Sequence, residues 1–248
     1  MRITLATATT AAILATSITA AHATPEYIKS ADFNKGKLEL QYQWVTTTDS
    51  ESSKKDHKVK HQSDILYSPA DGWLLLAGGK GSRDSKDSTN LDSFFAGGAY
   101  QFIHEEDHGF NAAILTKYIH SVDSGDPDVL EGRLLLDKKW GEGKKIKTKA
   151  NLNILREIGA NRHAGITFQG RIGAVYKVKE YFQPGVEWHS ELSTDDNAEH
   201  HVGPVVYGYA PEGSLLRGFG YEIGYLPGVS DSAADNAFRL LVSYKLKF

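Results

Sequence analysis

The chain has 248 residues, of which 40% are hydrophobic, 24% charged and 10% aromatic, a composition that excludes disorder, a collagen-like repeat and a bundle of transmembrane helices. It contains no cysteine, which excludes disulfides and thiolate metal sites, and a formal charge of −3 leaves no electrostatic footprint for nucleic acid. The 24 glycines against 7 prolines, with 12 tyrosines, favour a β-rich chain with many turns, and a mean hydropathy of −0.38 fits a water-soluble protein and a transmembrane β-barrel equally well.

Met1 and Arg2 open a short positive region, followed by an apolar and small-residue stretch from Ile3 to Ala20 and then Ala21-His22-Ala23. This is the order of a secretory signal peptide, residues 1–23, cleaved at an A-x-A site. Residues 24–36 are expected as a short periplasmic lead, and residues 37–248 as one domain. In that domain apolar and polar residues alternate with period two, and no apolar stripe at helical spacing lasts three turns. The first run is Leu38, Leu40, Tyr42 and Trp44 against Glu39, Gln41 and Gln43; Lys58 to Tyr67 and Trp73 to Gly79 follow. Next come Phe94 to Phe102, Phe110 to Tyr118, Leu130 to Asp137 and Ile146 to Ile154. The clearest run is Ile166 to Val178, and Phe182 to Glu191, His201 to Tyr209, Leu215 to Tyr225 and Ala237 to Phe248 complete the set. Twelve runs predict an all-β fold: a single antiparallel transmembrane β-barrel of 12 strands, with 10 or 14 as alternatives. The intervening stretches alternate between long, polar ones such as Thr46 to Asp56 and tight ones such as Ser68 to Gly72. Long outer loops and short periplasmic turns give an outer-membrane barrel this asymmetry.

The last run is the most specific. Phe238, Leu240, Val242, Tyr244, Leu246 and the terminal Phe248 form one apolar face opposite Arg239, Leu241, Ser243, Lys245 and Lys247. This resembles the C-terminal assembly signal of bacterial outer-membrane barrels, which ends on an aromatic residue, usually Phe. The resemblance implies two partners, the outer-membrane lipid and the barrel assembly machinery acting through the last strand. From Leu130 onward the chain also resembles a group of poorly characterised proteobacterial outer-membrane proteins. Leu134 to Gly141, Ala150 to Glu157, Pro184 to Trp188, Gly203 to Val206 and Tyr221 to Leu226 carry that resemblance. These are strand motifs, so they imply fold and location and say little about activity.

Candidate chemistry is sparse. His104-Glu105-Glu106-Asp107-His108 satisfies H-E-x-x-H, but it sits in a tight turn between strands, where no helix can bring both histidines to one zinc ion. Asp195, Asp196, Glu199, His200 and His201 suit a divalent ion by type, yet adjacent histidines on a strand point to opposite faces. No metal, cofactor or catalytic residue is expected. A lipid-active enzyme needs a serine beside an activating histidine. His163 and His189 have no recognisable serine motif beside them, and His120 and Ser121 would diverge. The remaining constellation is the inward face. Its charges Glu131, Arg133, Asp137, Lys147, Lys149, Arg171, Lys177, Glu187 and Arg239 either pair across a filled lumen or line a solute path. The expectation is a narrow channel or transport-type barrel for small polar or charged solutes. A filled structural or adhesive barrel is the alternative, with a lipid-active enzyme third.

Overall fold

Strands read from alternation must pair with something, and here every one pairs with its sequence neighbour. In the computed structural model, described for residues 25–50, 56–83, 89–162, 165–193, 198–211 and 213–248, the strands form one antiparallel sheet closed on itself. They are β1 Lys37–Thr48, β2 Lys58–Ser68, β3 Trp73–Arg83, β4 Asn90–Ile103, β5 Asn111–Ser121, β6 Asp128–Trp140, β7 Ile146–Ile158, β8 Ile166–Tyr176, β9 Gln183–Ser193, β10 Glu199–Tyr209, β11 Phe219–Pro227 and β12 Asn236–Lys247. The ring shuts where β1 meets β12, from Lys37 opposite Lys247 to Thr48 opposite Asn236. Closure leaves no unpaired sheet edge. One helical turn, α1 Glu105–His108, and a 3₁₀ turn at Glu142–Lys144 complete the secondary structure of the described residues. The expected signal peptide lies outside them.

Period-two alternation decides which side chains face which way. Ile65, Leu75, Phe94, Ile114, Ile172 and Ile223 are each about half exposed on the outer wall. Their strand neighbours, such as Asp64, Arg171 and Glu222, are buried inside. An apolar band around a polar interior is the pattern that lipid contact requires, because a protein in water rarely exposes so large an apolar surface. In β12, Phe238, Leu240 and Tyr244 are exposed while Arg239, Leu241 and Ser243 are buried, the two faces expected of the last strand.

Three details differ from the sequence reading. β11 begins at Phe219, not Leu215, because Ser214 and Arg217 donate backbone bonds to Pro211 and Ser214 and hold that stretch in turns; Leu215 is fully exposed. β8 ends at Tyr176, so Lys177 and Val178 belong to the following turn. The connections also do not alternate in length: 104–110 and 210–218, at the end holding both barrel termini, are as long as 122–127 and 159–165 at the other. Much of the stretch expected as long loop is paired strand, as in β3, which runs on to Arg83 instead of stopping at Gly79.

Candidate functional site: the lumen and the segment that fills it

The lumen is occupied by the chain itself. Residues 25–35, expected as a lead into the barrel, are threaded up inside it, with Pro25, Tyr27, Ile28, Ala31 and Phe33 buried. An extended chain there must still satisfy its backbone polar groups. Inward side chains of four strands do this. The N–H groups of Tyr27, Lys29, Ala31 and Phe33 donate in turn to Gln43 Oε1 (3.2 Å), Asn151 Oδ1 (2.8 Å), Asp137 Oδ2 (2.9 Å) and Gln101 Oε1 (3.2 Å). Asn151 Nδ2 also donates to the Lys29 carbonyl at 2.9 Å, so this amide pairs with the segment as a backbone neighbour would. Lys149 Nζ and Arg239 Nη1 donate to the carbonyls of Ile28 (3.2 Å) and Glu26 (3.1 Å). Phe33 and Ala31 join an apolar cluster with Leu66, Leu74, Phe95 and Leu135, a lining unsuited to a water column.

The inward charges sort into three groups around this segment. The first surrounds Glu26, whose carboxylate takes Lys80 Nζ at 2.7 Å and Arg171 Nη1 at 3.1 Å, with Arg133 Nη2 at 3.6 Å. Arg133 also holds Glu131, which pairs with Lys117 at 2.6 Å. The second ties β9 to β12 along one side of the lumen: Arg239 meets Glu187 at 2.8 Å and Glu222 at 3.7 Å, and Glu187 further accepts from Tyr207 and bonds His189 Nε2 at 2.7 Å. The third centres on Asp137, which accepts from Ser30 Oγ and from Asn111 Nδ2 (2.8 Å), with Lys147 Nζ 3.6 Å away. Eight of the nine expected lumen charges therefore face the interior and, mostly, the segment. Lys177 does not. It lies in the β8–β9 turn, half exposed, paired with Glu180 at 2.5 Å.

Sequence reasoning did not single out Glu26, Lys80 or Lys117. Lys117 carried a usable signal, since it alternates with the outward Thr116 and Tyr118; Glu26 carried none, lying ahead of all alternation. Two cavities reach the segment from opposite ends. One of about 270 Å³, towards the termini, is lined by Ile28, Ser30, Phe33, Lys149, Tyr209 and Glu222 among others. The other, about 200 Å³, is lined by Glu26, Lys60, Gln62, Lys80, Arg171 and Glu191 among others. Glu26 to Lys29 lie between them.

The other candidates are placed elsewhere. The H-E-x-x-H stretch makes only α1, with His104 extended ahead of it and Glu105 accepting from Lys139 Nζ (2.9 Å) and Lys144 Nζ (2.7 Å). His201 is buried against the Leu226 carbonyl, whereas His200 stacks on Trp188, so the adjacent histidines take opposite faces. Asp195, Asp196 and His163 lie outside the described residues. His120 Nδ1 meets Asp128 at 2.9 Å on the outer surface, and Ser121 offers that carboxylate its backbone N–H, at 3.0 Å.

A family model described as a protein of unknown function, DUF481, matches residues 9–199. The chain belongs to the DUF481 family. The match takes in the half before Leu130, where the sequence alone offered no resemblance, and it agrees with a poorly characterised family. No protein with a curated description matches the sequence. Among solved structures, the NanC porin is similar over 84% of this chain and 100% of its own, at 12% identity and a TM-score of 0.55. The KdgM porin is similar over 83% and 98%, at 13% identity and 0.53. An outer membrane channel from Pseudomonas putida F1 is similar over 90% and 97%, at 11% identity and 0.56. At such identities this DUF481 chain shares a fold with them.

Proposed function

We propose that this DUF481 protein is an outer-membrane barrel of the transport type, a narrow conduit for small polar or charged solutes that is closed by its own N-terminal segment. The observation that carries the reading is the way the segment is held. Residues 25–35 belong to no strand; apart from the bond that the Gly72 N–H donates to the Phe33 carbonyl at the rim, they hang on side chains, with one cavity towards the termini and another beyond Glu26. A segment built permanently into the wall would share the backbone ladder. The apolar outer band, the porin and channel folds of the similar structures and the final aromatic strand support placement in the outer membrane, after export by the signal at 1–23. The end carrying Gly36 and Phe248 then faces the periplasm, and the last strand is the part offered to the barrel assembly machinery.

The apolar cluster around Phe33 favours a second reading, a permanently filled structural barrel. Planar-bilayer recording separates the two. Arg171 and Lys149 hold the segment at Glu26 and Ile28, so the double variant R171E/K149E removes two of its anchors, sets a carboxylate against Glu26 and lines the path with negative charge. The transport reading expects larger currents than wild type, with the reversal potential shifted towards cations, because lumen substitutions tune selectivity. A variant that inserts and keeps its heat-modifiable mobility but passes no current above background rejects the conduit and leaves the filled barrel.

A further inference from the structure

Glu26 is a carboxylate delivered to a site made by other strands. Lys80 comes from β3, Arg133 from β6 and Arg171 from β8, and none of them belongs to the segment. Arg171 and Arg133 are buried, and Lys80 has its ammonium 2.7 Å from Glu26. Subtract Glu26 and the cluster becomes four cations, counting Lys117, against the single carboxylate of Glu131. Uncompensated buried charge is costly, so these strands hold a place that demands an anion. The guanidinium of Arg171 has a planar array of donors suited to a carboxylate. The site also opens onto the 200 Å³ cavity, whose wall adds Lys60 and Gln62 and, against an anion, the carboxylates of Asp92 and Glu191.

We infer that Lys80, Arg133 and Arg171 form a binding site for a carboxylate-bearing solute, and that Glu26 occupies it as a tethered stand-in when the lumen is closed. The physiological role of this site, recognition of an organic acid on its way through, rests on the transport reading above; the site itself does not. One carboxylate of a small dicarboxylate arriving through this 200 Å³ cavity takes the place of the Glu26 carboxylate. The Glu26 carboxylate and the solute are then competing occupants of one site.

Titration calorimetry with malonate on the purified, detergent-folded full chain tests this. Glu26→Ala vacates the site but leaves the anchors at Tyr27, Lys29, Ala31 and Phe33 in place. E26A should bind malonate at least ~10-fold more tightly than wild type, the factor that corresponds to one charge-assisted hydrogen bond. Adding Arg171→Gln should abolish the gain, while Lys144→Gln, at the barrel rim, should not affect it. Glu26→Gln, which keeps shape without charge, carries the same comparison if E26A fails to fold. A heat-modifiable E26A or E26Q barrel that binds malonate no better than wild type, or binds it equally well without Arg171, overturns the site. Bilayer currents from the same samples report separately on transport. Current without malonate binding removes the anion site and keeps the conduit; malonate binding without current keeps the site and removes the conduit.

Discussion

Gly173 shows how closely single residues on the wall are fitted to the segment. A Cβ built there meets Ile28 Cδ1 at 2.9 Å and Glu187 Cγ at 3.1 Å, so β8 gives up a side chain at the level where Ile28 lies. Valine suits a strand intrinsically, so Gly173→Val acts through this contact and not through the sheet. Because the chain has no cysteine, an Ala31→Cys variant provides a single label site in a position that is fully buried in the closed lumen. Maleimide should label A31C slowly, and A31C/G173V markedly faster at unchanged barrel heat resistance. Equal labelling rates would mean that Ile28 does not hold the segment. Such fit was not legible in the sequence, where Gly173 alternates with Ile172 and Ala174 like any inward strand residue. The same holds for Gln43, Gln101 and Asn151, whose polarity predicts an inward face but not that they receive backbone N–H groups.

Individual elements carry two further consequences. The turn holding α1 is clasped to the next turn on the same rim, since Glu105 accepts from both Lys139 and Lys144. Burial raises the Glu105 carboxyl, but the hydrogen bonds from Lys144 and Lys139 outweigh it and hold the carboxyl below the usual range. A group depressed in this way contributes stability above its unfolded value and loses it as pH falls through its folded one. Both lysines are partly exposed, so the clasp is worth less than about 1 kcal/mol and is screened by salt. Glu105→Gln should therefore lower thermal stability slightly at pH 7 and not at all well below pH 4; an equal loss at both would show that the effect is steric. The last strand is the second case. Phe248 is 85% exposed, and its N–H donates to the Gly36 carbonyl at 3.0 Å. If its ring serves assembly, deleting Phe248 should cut membrane insertion far more than a change at an exposed residue of the β5–β6 connection such as Asp126→Ala. Equal insertion of the two variants would assign Phe248 no such role. Strand existence and facing were legible because alternation is enforced along every strand. The ends of β8 and β11 were not, because hydrogen bonds of the following and preceding turns set them.

For the molecule as a whole, the closed 12-stranded barrel was readable and the state of its lumen was not. Alternation reports which residues face inward; it is silent on what they face. The inward Leu66, Leu74, Phe95 and Leu135 were the available sign that something apolar fills one side, yet they fall on different strands and gather only in three dimensions. Gly36 has a further consequence. It lies at φ +73°, where a Cβ would come within 2.7 Å of the Phe248 carbonyl oxygen, and it turns the chain from the lumen into β1. The turn out of the lumen and the β1–β12 seam therefore share one residue. Every other strand pair joins sequence neighbours, whereas this seam joins residues almost a full barrel length apart, and its loop-closure entropy grows only with the logarithm of that length. The segment's partners on β1, β4, β6 and β7 likewise come together only when the sheet curls. Seating residues 25–35 and closing the seam thus both require the curled sheet, and Gly36 is where the two meet.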